Sequence, residues 1–136
     1  MDRVTPILIS ASIYSFLGYL NYQVTPCPPA LLAKDKNKEY RDFYGQHVSL
    51  LHSVIAVGLS LWLYVSDGGV LYESPESQDY LNVLGHSLGY FSYDMVYAEM
   101  YGVHDWPMRL HHISAIVAGF IFYLDSEAGS IAICTS

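Results

Sequence analysis

Long apolar runs, separated by short bands that gather nearly all of the charge, set the pattern of this chain. No charged residue lies between Arg3 and Lys34, and between Asp42 and Asp67 there is none apart from the titratable His47 and His52. Each gap exceeds the roughly 20 residues that carry a helix across a hydrocarbon core. The runs predict helical spans at about 4–22, 46–65, 80–100 and 107–124. Pro6 falls in the first turn of the first span, where its missing N–H costs nothing, and Asn21-Tyr22-Gln23 with Pro26-Cys27-Pro28-Pro29 stops that span.

The mixed charges of Lys34 to Asp42 read as a solvated loop or a short interfacial helix. The second span carries Trp62 and Tyr64 near its far end and stops at Asp67-Gly68-Gly69. An acidic loop, Glu73 to Asp79, leads into the third. The fourth opens at Trp106-Pro107 and ends before Asp125 and Glu127. Gly129 to Ser136 begins a partial fifth run, the pattern of a domain cut short. The expectation is therefore all-α: a multi-pass transmembrane helical bundle of about four spans, forming one domain over residues 1–136. A secretory signal fits the first run less well, because the segment before it is barely basic and no small-x-small site closes the run before Tyr22.

Composition strengthens this picture. Apolar residues make up 52% of the chain and charged residues 14%, with a mean hydropathy of +0.24. Soluble domains carry about 25% charged residues. The net charge is −7 and the basic residues gather only at Lys34, Lys36, Lys38 and Arg41, which argues against nucleic acid as a partner. By the positive-inside rule, that cluster and Arg109 place the starts of the second and fourth spans on the cytosolic side and the N-terminus opposite. Cys27 and Cys134 form no CxxC motif and read as free thiols.

The candidate chemistry lies inside the predicted spans. An ionisable group at membrane depth costs several kcal/mol unless paired or wetted, which makes it a functional candidate. His52, Asp94 and the pair His111-His112 each lie about 6–10 Å below the same surface at roughly 1.5 Å of rise per residue. A bundle brings such groups into one pocket. His86, Tyr90, Tyr93 and Tyr97 recur at helical spacing and form a stripe suited either to lining a lipid groove or to ordinary helix packing. Gly85 and Gly89 on the same span permit close helix approach.

A pocket of His, His and Asp suits proton transfer. The carboxylate holds one imidazole while that ring's other nitrogen takes a proton from an alcohol or amine, which then attacks an activated acyl group. Adjacent histidines point about 100° apart on a helix, so His111 and His112 do not clamp one ion unaided and no metal is expected. The competing reading of each histidine is a core residue satisfied by a tyrosine or carbonyl. His47 and His104, near loop ends, read as solvated, and Glu99 and Asp105 as headgroup-level charges.

The order of "VSLLHSV" at 48–54, "SLGYFSYDM" at 87–95 and "MRLHHIS" at 108–114 resembles the TLC homology domain, the family that includes ceramide synthases. The resemblance covers most of the chain from Arg41 to Leu124. It implies a lipid-linked membrane protein. Asp94, His111 and His112 match positions that ceramide synthases associate with N-acyl transfer from acyl-CoA to a sphingoid base, and His52 matches a histidine of an earlier span. The chain departs from the ceramide synthase signature, which places a second acidic residue close to the first, where Ser92 and Met95 lie near Asp94 here. The family domain also normally has more spans. The likeness is closer to the non-ceramide-synthase branch, for which it implies lipid binding, lipid sensing or control of membrane composition, in the endoplasmic reticulum or a related endomembrane.

Three hypotheses follow. The first is a lipid-handling protein, catalytic as an acyltransferase or not, with membrane lipid and possible acyl-CoA as ligands. The second is a non-catalytic transmembrane subunit of a larger complex, with protein partners. The third, a haem held by His52 and His111 or His112, leaves Asp94 unexplained, so no cofactor is expected.

Overall fold

The computed structural model describes residues 4–32, 37–66 and 78–134, with side chains of the last helix described as far as Ile121. Five helices make up these residues: α1 (Val4–Val24), α2 (Pro29–Leu32), α3 (Asn37–Ser66), α4 (Gln78–Tyr101) and α5 (Trp106–Cys134). The fold is all-helical. The four long helices sit on the four predicted apolar runs, but two of their ends lie elsewhere.

The band expected as a loop or short interfacial helix forms the first turns of α3, which starts at Asn37. Polar contacts explain why it is helical. Gln46 Nε2 donates to Asp42 Oδ2 one turn away at 2.8 Å, and the Arg41 guanidinium lies 4.3 Å from the ring centres of both Tyr22 and Tyr101. At the other end of the chain, α5 continues through Asp125 and Glu127 to Cys134, so the residues to Cys134 expected to open a fifth span belong to α5 instead. A carboxylate interrupts an apolar run without breaking a helix, and Glu is itself a good helix former. The Asp67-Gly68-Gly69 turn and the acidic loop as far as Glu76 lie outside the described residues.

Helix α4 is the centre of the molecule and packs against α1, α3 and α5. Its buried residues, Leu81, Gly85, Leu88, Gly89, Tyr90, Asp94 and Ala98, therefore wrap around the helix instead of forming one stripe. The α1–α4 contact is the closest. A Cβ on Gly89 would lie 2.6 Å from the Ile7 carbonyl oxygen, and Ser10 Oγ donates to the His86 carbonyl at 2.7 Å. This is the close approach that the small residues of α4 imply. Helix α3 presents Tyr44, Val48 and His52, spaced four apart, to the interior.

Among the described residues no Cα of α3 lies within 8 Å of one of α5, and a cleft bordered by α4 lies between them. Two helical segments, Val4–Val24 and Lys38–Ser66, are long and apolar enough to cross a membrane, and only 11% and 17% of their apolar windows are buried inside the molecule. Leu8, Phe16, Leu50, Val54, Leu61 and Val65 are among the large apolar side chains left on the outside.

Candidate functional site

The turn between α4 and α5 places the first group of site residues. Gly102, at φ 61°, ends α4 in the left-handed conformation, and the Val103 N–H reaches back to the Ala98 carbonyl at 3.1 Å. Asp105 then caps α5, its Oδ1 accepting from the Met108 N–H at 3.1 Å. Between these two caps His104 is folded back over the end of α4.

Asp94 lies about two turns before that end. Its Oδ2 is 2.9 Å from His112 Nε2 and 3.5 Å from His104 Nε2. The His104 and His112 rings stack 4.6 Å apart with planes 10° from parallel. All three side chains are shielded: 9% of Asp94, 7% of His112 and 15% of His104 remains exposed. The other nitrogen of His112, Nδ1, lies 3.0 Å from the Met108 carbonyl oxygen.

One turn deeper lies a second polar layer. The Tyr14 hydroxyl on α1 stands 3.3 Å from His52 Nδ1 and 3.0 Å from His86 Nε2. Having one proton, it donates to one ring and accepts from the other. His52 lies flat on Tyr90, ring centres 3.8 Å apart and planes 8° from parallel, and the Tyr90 hydroxyl faces Asp94 and Ser49. Tyr90 thus joins the two layers. Phe91 fills the corner between them, in ring contact with His52, His111 and His112.

Both layers border the cleft between α3 and α5, a cavity of about 790 Å³ lined by His52, Asp94, His111 and His112 together. These are the four side chains that the sequence singles out. Lys38, Asp42, Gln46 and Asp105 line it as well, and Ala56, Val57, Phe91 and Met108 give it apolar wall.

The tyrosine stripe divides between two environments. Tyr90 and Tyr97 border the cavity, and the Tyr97 hydroxyl also donates to the Arg41 carbonyl at 2.9 Å. Tyr93 and His86 face α1 instead: Tyr93 lies against Gly18, and His86 is held by Tyr14.

Glu99 and Arg109, both partly exposed, form a pair at 2.9 Å that ties α4 to α5. Two placements differ from expectation. His104 is half-buried against Asp94 instead of being solvated near a loop end. More consequential is His112, because Asp94 and the Met108 carbonyl occupy both of its nitrogens and leave neither for an incoming substrate. The imidazoles that line the cavity without this double constraint are His111, which is exposed, His52, and His104, whose Nδ1 has no hydrogen-bond partner.

Sequence reasoning misses His104 because it lies ten positions from Asp94 in a connection, where a histidine is ordinarily solvated. The available signal was local: a glycine stop and an aspartate cap only three residues apart force the intervening residues back over the helix ends. Comparisons with protein-family models, curated proteins and solved structures found no match to this chain.

Proposed function

We infer that this chain is a lipid-handling membrane protein, resembling the TLC homology domain, whose cleft between α3 and α5 receives an amphipathic lipid. The observation that carries this reading is the cavity itself. At about 790 Å³ it falls within the roughly 300–1,000 Å³ of small-molecule sites, and it joins an ionisable end to an apolar wall. A lipid presents the same two chemistries, with its polar group directed to Asp94 and His111 and its chain to Ala56, Val57 and Met108. His52 and His111 are the residues with access to exchange a proton in an acyl transfer from acyl-CoA.

The membrane assignment has its own support. Apolar helices that form the core of a soluble protein are largely covered, whereas those here leave most of their surface outside the molecule. A cleaved leader would not supply Tyr14 and Ser10 to the interior, as α1 does. In this reading all four long helices cross the bilayer and the endoplasmic reticulum is the expected membrane.

The test is mass spectrometry of lipid retained by the purified chain, compared with a Val57→Trp variant that adds bulk to the cleft wall and removes no ionisable group. Wild type should hold a defined lipid class, and the variant should lose most of it. Equal retention by both would show that the lipid sits elsewhere and would overturn this reading. The unbridged α3–α5 cleft also favours a second reading, in which it seats a helix of another subunit. That reading requires a co-purifying membrane protein at fixed stoichiometry that Val57→Trp displaces while leaving bound lipid unchanged.

A further inference from the structure

We propose that Asp94, His104 and His112 form a binding site for one divalent transition-metal ion of the zinc class. The proposal stands on side-chain geometry and does not require lipid in the cleft.

The tautomer of His112 is the starting point. Its Nδ1 lies 3.0 Å from the Met108 carbonyl oxygen, and a carbonyl only accepts, so Nδ1 carries the proton. In the neutral ring Nε2 is then a lone pair, directed at Asp94 Oδ2 only 2.9 Å away. Two lone pairs do not meet at that distance without positive charge between them. A proton shared by Asp94 and His112 supplies it for that pair alone. His104 would keep a 3.5 Å approach to the same oxygen and a buried Nδ1 that has no hydrogen-bond partner. A metal ion engages all three groups together.

The arrangement has the other features of such a site. One ligating atom from each of the three residues can be chosen so that all lie within 4.8 Å of one another. Zn–N and Zn–O distances of about 2.0–2.2 Å therefore need only modest closure of the side chains. His104 sits on the short connection between helices, where its ring can turn off the stack with His112 without bending a helix. The Met108 carbonyl is the outer-shell acceptor that a metal-bound histidine characteristically uses to fix its tautomer. Two imidazoles and one carboxylate favour Zn²⁺ or Fe²⁺ over Mg²⁺ or Ca²⁺, which prefer oxygen ligands throughout. All three residues line the cleft, so the remaining coordination positions face its lumen, where an oxygen of a bound headgroup can complete the shell. Adjacent histidines cannot form this site; it needs His104, which enters from the turn.

The experiment measures metal in the full chain, purified in detergent without chelator, by elemental mass spectrometry, which also distinguishes Zn²⁺ from Fe²⁺. Chelated protein is then titrated with Zn²⁺ and with Co²⁺, the latter read from its visible absorption. Wild type should hold one ion per chain. Asp94→Asn, His104→Ala and His112→Ala should each weaken Zn²⁺ by more than the roughly 10–100-fold that loss of an outer-shell partner costs. His47→Ala, at a histidine away from the cluster, should bind as wild type does.

His104→Cys guards against loss through misfolding, because it keeps a zinc ligand and should retain the ion where His104→Ala does not. It should also change the Co²⁺ spectrum as sulfur enters the shell. Two results would overturn the proposal: wild type that takes up neither Zn²⁺ nor Co²⁺, or Asp94→Asn and His104→Ala variants that keep the ion.

Discussion

At Asp94, exchanging one carboxylate oxygen for an amide separates charge from shape. In chelated Asp94→Asn, the new N–H can donate to the His112 Nε2 lone pair across the present 2.9 Å, so that pair stays satisfied with no charge. Asp94→Ala leaves the buried imidazole with no partner and should cost about 1–3 kcal/mol. Chelated Asp94→Asn should thus melt in detergent close to wild type, and Asp94→Ala several degrees lower. Equal melting of the two variants would mean that no hydrogen bond reaches His112 from position 94. The partnership of Asp94 with the His111-His112 motif was legible in the sequence, since all three lie at one depth on neighbouring helices. Which of the two histidines meets Asp94 was not legible, because helical phase alone leaves them about 100° apart with no indication of where α4 lies. Only the Asp94 to His112 distance, with His111 left on the cavity wall, decides it.

Helix packing puts different demands on two glycines. At Gly89 an added Cβ meets backbone, the Ile7 carbonyl oxygen at 2.6 Å, besides the Ser10 side chain. At Gly119 its nearest neighbours are all side-chain atoms of Leu88, with no backbone among them. Gly89→Ala must push α1 off α4 and should destabilise by about 1–3 kcal/mol, the usual cost of overpacking. Gly119→Ala should cost less, because only a side chain has to shift and Ala recovers up to about 1 kcal/mol of helix propensity. Thermal melts of the two variants in one detergent check the order, and a Gly119→Ala cost equal to that of Gly89→Ala would refute it. The elements themselves were readable from the charge gaps, because an apolar run of that length has few alternatives to a helix. Their ends were not. The start of α3 depends on Arg41 lying between Tyr22 of α1 and Tyr101 of α4, a contact between residues far apart in sequence that no local pattern encodes.

At the scale of the whole molecule, one group of tyrosines gathers around Arg41. Tyr22, Tyr40 and Tyr44 form a ring cluster, Tyr97 and Tyr101 make a second, tilted ring contact, and Arg41 joins the two groups. Aromatic and cationic side chains gather in this way at a membrane–water boundary, and an excess of Lys and Arg marks the cytosolic one. Asn21 Nδ2 donates to the Tyr44 carbonyl and the Tyr44 hydroxyl to the Thr25 carbonyl, which fixes the end of α1, and Cys27 just after it, at that same boundary. Lys38 and Asp42, which line the cavity, lie in the same first turns of α3 as Tyr40, Arg41 and Tyr44, and the positive-inside rule would put that end in the cytosol. In a Cys134→Ser background, a membrane-impermeant maleimide should therefore label Cys27 only when the cytosolic face is exposed, as in inside-out vesicles. Burial raises the Cys27 thiol above its ordinary pKa, and the thiolate is the reacting form, so labelling should be slow at neutral pH and accelerate as pH rises. Labelling of right-side-out vesicles at the same rate would invert the topology and place the cleft, with its Asp94–His112 pair, on the opposite side of the membrane.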